Sequence, residues 1–235
     1  MAGITSILTP LFEFYNVLFQ PLLQLGPYPS LIFFSTLLAG LFSVIYWFLL
    51  DIERADRIKK KINKYQDRMK EAREEDEQDK ASKHFKKTLE LNQRFMMLNL
   101  KPMLATMVFV ALFFPWLGNT YAPTIEMDSF NETGFNGTID YAGEQVPVNA
   151  VNNSGQMQFF TEGNENIRAY GIEWEVISFE QVQGQDHDAE LKINGVFLDL
   201  PFSIPLAGEA FNWLGFYILI VMPMTYIFRK LLGVQ

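Results

Sequence analysis

LIFFSTLLAGLFSVIYWFLL, residues 31–50, is a run of apolar and small polar side chains without one formal charge. At ~1.5 Å per residue a helix of that length spans ~30 Å, the thickness of a bilayer's hydrocarbon core. Hydrocarbon offers no partner to a peptide group, so such a run must satisfy its own backbone as a helix. Two further runs read the same way: MLATMVFVALFFPWLG at 103–118 and FNWLGFYILIVMPMTYIF at 211–228. Of the 19 Lys and Arg residues, 15 lie in 51–102, Arg229 and Lys230 follow the third run, and none precedes Arg54. Cationic flanks stay on the cytoplasmic side. The N-terminus and 119–210 are therefore expected outside, with 51–102 and the C-terminus inside. The expected fold is a mainly α membrane protein: three transmembrane helices, a cytosolic coiled-coil hairpin, and a β-rich extracytoplasmic domain inserted between helices two and three.

The segments follow from the same map. Residues 1–27 form an interfacial N-terminal helix and 28–50 transmembrane helix 1. Then come the hairpin over 51–102, transmembrane helix 2 over 103–118 and the outer domain over 119–209. Transmembrane helix 3 covers 210–230, and 231–235 are a cytosolic tail. The net charge of −8 hides two opposite populations, because 119–209 holds 15 Asp and Glu against Arg168 and Lys192 alone. A bilayer between a basic and an acidic half explains that split. The basic half suits anionic lipid or ribosomal RNA. There are no cysteines, so thiol chemistry and disulfides are excluded.

Residues 1–30 lack a basic n-region, and Pro10 and Pro21 interrupt their apolar stretch, which argues against a cleaved signal peptide. Leu8, Leu11, Phe12, Tyr15, Leu18 and Phe19 share one face of a short helix ending near the GPYP turn. In span one, Thr36, Gly40, Ser43 and Trp47 recur at intervals that put them on one face. That face either packs closely on another helix, as small residues allow, or lines a hydrated groove. After Asp51 the residues Ile58, Ile62, Tyr65, Met69 and Ala72 keep an a/d pattern, so span one is expected to run on into the hairpin's first arm. The acidic EEDEQDKAS at 74–82 makes a solvated tip rather than a metal loop, and Phe85, Leu91, Phe95 and Leu98 bring the chain back. Met96, Met97, Met103 and Met107 then give the junction a soft apolar surface. They are either core filler or a face that accepts varied hydrophobic sequences. Pro102 is expected at the first turn of a short span two, and Pro223 kinks span three. Thr106, Thr225 and Tyr226 are the polar members of those spans.

Between the last two spans, GTIDYAGEQVPVNAV, GIEWEVISFEQV and AELKINGVFLDL alternate apolar and polar residues, which predicts a small sandwich or half-barrel. Asn131, Asn136 and Asn152 open three N-glycosylation sequons there. DHDAE at 186–190 is read as a loop, and no metal ligand set and no cofactor site is expected.

FQPLLQLGPYPSLI before span one, KYQDRMKEARE in the arm, LNLKPML into span two, and LDLPFSIPL and YIFRKLLGV around span three occur in a recognisable order. That order resembles the Oxa/YidC insertase superfamily, and most of all its small archaeal YidC-like branch related to the third subunit of the ER membrane complex. The resemblance covers roughly 20–118 and 198–235. It implies a three-helix core whose polar groove moves client transmembrane segments from the cytosol into the bilayer, as an insertase and chaperone, without nucleotide hydrolysis. Thr36, Gly40 and Ser43 would line the groove, with Thr106, Thr225 and Tyr226 as further wall residues and Met96, Met97, Met103 and Met107 at its mouth. Bacterial members keep a basic residue in the groove; no span here contains one. Expected partners are client membrane proteins, the ribosome through the basic hairpin, the lipid bilayer and partner membrane subunits, at the cell (plasma) membrane.

Two other functions compete. A receptor-like or structural protein would act through the acidic glycosylated outer domain, and a small ion-leak channel would conduct. The lack of ionisable residues within the spans counts against selective conduction. With no cysteine, two histidines far apart and no GxxxxGK[ST] stretch, no catalytic constellation is present and an enzyme is not expected.

Overall fold

The computed structural model describes residues 2–131, 134–153, 155–182, 187–204 and 208–233, with the side chains of 2–7, 131, 201–204 and 208–209 outside the description. The helices are α1 (Ala2–Leu23), α2 (Pro27–Leu49), α3 (Ile52–Glu74), α4 (Gln78–Tyr121) and α5 (Trp213–Leu231). Eight strands lie between α4 and α5: β1 (Thr124–Asn131), β2 (Gly134–Tyr141), β3 (Glu144–Asn153), β4 (Gln156–Thr161), β5 (Arg168–Ala169), β6 (Ile172–Gln181), β7 (Ala189–Ile204) and β8 (Gly208–Asn212). Three helices, α2, α4 and α5, are long and apolar enough to cross a membrane. The chain divides into two compact units, one of 1–37 with 112–222 and the other of 38–111 with 223–235.

Helix boundaries differ from the hydropathy reading in four places. Span one does not run on into the hairpin: α2 stops at Leu49, and the Asp51 carboxylate accepts from the Arg54 N–H at 2.9 Å, capping α3 as a new helix. The return arm and span two, by contrast, are one unbroken helix. Pro102 lies inside α4 rather than at its first turn, and with Pro115 it removes two N–H donors from the ladder while packing holds the rest. Because α4 persists to Tyr121, span two is longer than its apolar run, which ends at Gly118, suggests. Pro10 and Pro21 likewise sit within a continuous α1, and Asn212 caps α5 through Oδ1 to the Gly215 N–H (3.0 Å) instead of lying in the span.

In the first unit, an aromatic knot joins α1, α2 and α4. Phe19 meets Phe34 edge-on at 5.0 Å, Tyr15 meets Phe113 at 5.2 Å, and Trp116, fully buried, touches all three helices and donates its indole N–H to Asn16 Oδ1 at 2.8 Å. Leu18, assigned to that face from its spacing, is exposed. The strands form one antiparallel sheet in the order β4-β3-β2-β1-β7-β6-β5, with β8 on the far end of β7. Two meanders, β1 to β4 and β5 to β7, are thus sewn together by the β1–β7 pair. The Thr161 N–H, at the end of β4, donates to Asn166 O at 3.3 Å, and Thr161 Oγ1 accepts from the β5 Arg168 N–H at 3.1 Å, so the sheet curls until its two edges nearly meet. It is close to a barrel and not a sandwich. Ile125, Met127, Ile139, Val148, Leu191, Ile193 and Trp174 fill the inside. Gly137 is needed there, since a Cβ would stand 2.6 Å from Ile125 Cγ2 and 2.7 Å from Glu126 O. Asn136 and Asn152 are exposed on β2 and β3; the Asn131 side chain lies outside the described residues.

Ser30 connects this barrel to the helices. Its hydroxyl donates to Gly26 O at 2.7 Å, so its oxygen must accept from both Tyr121 (2.7 Å) and Tyr141 (2.8 Å). All three side chains are buried, and burial pushes the Tyr141 phenol above its ordinary value. Ser30→Ala would strand two buried O–H donors and should cost about 2–4 kcal/mol, read as a lower Tm in detergent. Adding Tyr121→Phe and Tyr141→Phe to Ser30→Ala should cost little more, because the orphaned donors are then gone. On the sheet's surface the Asp188 carboxylate accepts from Ser129 Oγ and, at 2.8 Å, from the Ser129 N–H, which holds its pKa below the carboxylate range. A lowered folded pKa contributes stability above the unfolded value of ~3.9 and loses it as pH falls through the folded one. Acid titration followed by tryptophan fluorescence should therefore show a destabilisation below about pH 4 that Asp188→Asn removes.

Candidate functional site

Nearly all the residues singled out from sequence fall in the second unit, on the later half of α2, on α3, on α4 up to Ala111 and on the end of α5. Gly40 sits against α5, where a Cβ would come 3.6 Å from the Phe228 ring. One and a half turns further along α2, the Tyr46 ring lies under the Arg229 guanidinium, 4.4 Å from Cζ to the ring centroid. Arg229 Nε is buried and has no hydrogen-bond partner. Sequence reasoning gave Arg229 only the duty of ending the span. Its neighbour Tyr46 stands within an apolar run, and nothing in the run's spacing marks it as a partner for charge.

The hydroxyls expected to wet a groove are turned inward on their own helices. Thr36 donates to Ile32 O at 2.8 Å, Ser43 to Ala39 O at 2.7 Å, and Thr106 to Met103 O at 2.9 Å. Ser43 is fully buried, Thr36 and Thr106 are half-buried, and Thr225 is half-buried beside an exposed Tyr226. A hydroxyl that spends its proton on its own i−3 or i−4 carbonyl costs little in hydrocarbon and leaves only oxygen lone pairs for a guest. Gly40 and Ser43 therefore serve helix contact, while Thr36 keeps part of its surface.

The methionines behave differently. Met96, Met97, Met103 and Met107 are 52–69 % exposed. With the exposed Leu100, three of them make a stripe Met96–Leu100–Met103–Met107 at spacings of four, three and four, one face of a helix. Met97, Leu104 and Val108 widen it. Only 11 % of the span-length window of α4 and 6 % of that of α5 is buried, against 33 % for α2. Two of the three apolar helices thus present most of their surface outward. Reading methionines alone, rather than every apolar residue from 96 to 108, hides the length of the stripe.

Below the stripe, α3 and α4 form a packed helical pair. Ile58, Ile62 and Leu91 are its buried centre, with Tyr65, Phe95 and Leu98 against them. A turn with Asp76 at φ 59° joins the two helices, and Glu77 N–H reaches Ala72 O at 2.8 Å, the bond that ends a helix with a left-handed residue. At the pair's base Arg54, Arg57, Lys61 and Arg94 surround a small cleft of about 180 Å³ floored by Ile58 and Leu91. Hydrogen bonding from Lys87, with Arg94 adding, keeps the Glu90 carboxyl below its usual range. Of the stretch 186–190 read as a loop, residues 187–188 form a bend, but Ala189 and Glu190 are already paired in β7; Asp186 lies outside the described residues.

A family model described as "Integral membrane protein EMC3/TMCO1-like" matches residues 16–133, just over half of the chain. The match takes in α1 from Asn16, α2, the helical pair, all of α4 and β1, and leaves α5 outside. Neither the curated proteins nor the solved structures yield a match.

Gly40 tests the α2–α5 contact. An alanine there makes ordinary 3.6 Å contact with Phe228 and should be tolerated. Gly40→Leu overfills the contact and should cost about 1–3 kcal/mol, seen as a lower Tm than Gly40→Ala in the same detergent.

Proposed function

We propose that this chain, which belongs to the EMC3/TMCO1-like family of integral membrane proteins, is an insertase that passes client transmembrane segments from the cytosol into the bilayer. The family's link to membrane protein insertion supports the reading. The observation that carries it is the exposed Met96–Leu100–Met103–Met107 stripe, on a helix that continues unbroken from the basic pair into an apolar span. An apolar client segment meets this soft surface in water and follows the same helix into lipid, where its burial is downhill.

The hard step is moving the client's polar flank. A charged residue at the bilayer centre costs roughly 2.5–3.5 kcal/mol on insertion scales. Arg229 is placed to reduce that cost, since its half-buried guanidinium is backed by Tyr46. It is a cation at the inner end of α5 that can hold a client carboxylate while the apolar segment turns into lipid. The partly exposed hydroxyls of Thr36, Thr106 and Thr225 add weaker polar contacts. No nucleotide is consumed, and no cofactor takes part.

In this reading the protein lies in the cell membrane of an archaeon, with the hairpin and C-terminus cytoplasmic and the acidic barrel, glycosylated at Asn131, Asn136 and Asn152, outside. The Arg54, Arg57, Lys61 and Arg94 cleft suits phosphate oxygens, those of anionic lipid or of a ribosome delivering the client. Partner membrane subunits would cover what remains of the α4 and α5 surfaces.

Photo-crosslinkers at Met97, Met103 and Met107 during synthesis of a short-tailed membrane protein should trap the nascent client, and one at Lys86 should not. Met103→Ser with Met107→Ser, both at exposed sites, should leave Tm unchanged and reduce both adducts and insertion. Adducts to lipid alone at all three methionines would overturn the proposal.

A further inference from the structure

The barrel of the first unit is not closed by strand pairing, and the place where it fails to close has the shape and chemistry of a strand site. Among the described residues β4 pairs with β3 only. The far edge of β6 is covered at Glu173 and Ile172 by the two-residue β5, and Trp174 N–H reaches Ile167 O at 2.9 Å. From Glu175 onward its only neighbour is β7. One end of the gap is tied by a side chain instead of a ladder: Arg168 N–H donates to Thr161 Oγ1 at 3.1 Å. Between the two edges lies a cleft of about 810 Å³, with Phe159 and Phe160 on one wall, Trp174 and Val176 on the other, and the 164–167 loop across one end.

We propose that this gap is a strand-addition site that takes an extended segment of a partner protein carrying apolar and cationic side chains at alternate positions. Unpaired N–H and C=O groups on both edges supply the affinity, as they do wherever a peptide is added to a sheet. Neither β4, with the sequence QMQFFT, nor the facing part of β6 carries the proline or lysine that usually blunts an exposed edge. The irregularity between Val176 and Ser178 ends the regular edge of β6, so the added strand is short.

Alternation follows from the two faces of the gap. Inward, Phe159 meets Phe179 at 5.4 Å and Phe135 meets it at 5.3 Å, an apolar floor for every second side chain. Outward, Glu173 and Glu175 are exposed on β6 and Glu165 on the closing loop, and no Lys or Arg lines the cleft. The segment 119–209 has 15 carboxylates against Arg168 and Lys192, so the gap's field is negative well beyond its rim. That field selects a cationic guest. It also argues against a second copy of this chain, whose own β4 and β6 edges would bring the same sign of charge.

The test uses the full chain in detergent and three synthetic heptapeptides: alternating lysine and valine, alternating glutamate and valine, and the lysine–valine peptide with proline at its centre. The plain cationic peptide should slow amide hydrogen exchange in 157–160 and 174–180 and leave β2 and β3 unchanged. Glu173→Gln with Glu175→Gln, both at exposed positions, should weaken its binding several-fold at low salt. Equal protection by the proline-bearing or the acidic peptide would overturn the proposal, as would no protection by any. Protection of the same amides without peptide, rising with protein concentration, would assign the gap to a second copy and overturn it too.

Discussion

A buried serine hydroxyl has one proton to give and two lone pairs to fill, and at Ser30 all three are used. The proton closes the first turn of α2, and the lone pairs hold the last turn of α4 and the first β-hairpin. Because the groups are out of water, each bond is costly to leave unmade, so three elements far apart in sequence must arrive in one geometry or none. The aromatic knot of Phe19, Phe34, Phe113 and Trp116 fills the apolar side of the same junction. A sheet entered from α4 through Ala122 and Pro123, and left straight into α5, is thereby held at its α4 root and at Tyr141.

The three apolar helices, the basic pair and the β-rich insert could be read from charge and periodicity, because bilayer thickness and backbone satisfaction leave few alternatives for such runs. Where each helix stops could not. Hydropathy changes at Lys101, yet α4 passes through that point and through Pro102 and Pro115, since two missing N–H groups are a small loss in a helix of 44 residues. At Asp51 the opposite occurs: a periodic pattern continues, but a carboxylate caps the next helix and divides it from α2. Helix ends are decided by individual hydrogen bonds, which average composition does not record. The alternating strands were visible for β2, β3, β6 and β7. The curl was not, because it depends on Thr161 and Asn166, polar residues that in a sequence look like any turn.

At the candidate site the direction of the polar groups was not legible in the sequence. Thr36, Ser43 and Thr106 each give their proton to a carbonyl of their own helix. Tyr46 stands within the first apolar run and Arg229 just past the third, and only packing brings them together. The site's polarity is consequently concentrated at one end, in a guanidinium, instead of spread along a wall of hydroxyls.

On the insertase reading proposed above, that concentration suits a machine with no fuel. A wall of free donors would bind a client's polar flank along its whole path and then have to release it, at a cost comparable to the gain. A satisfied wall with an open apolar stripe holds nothing tightly, and polarizable methionine side chains adapt to one sequence as readily as to another. A terminal cation acts only where the flank must pause. Attraction at the entrance and indifference along the way let the final transfer of the apolar segment into lipid set the direction of the whole process.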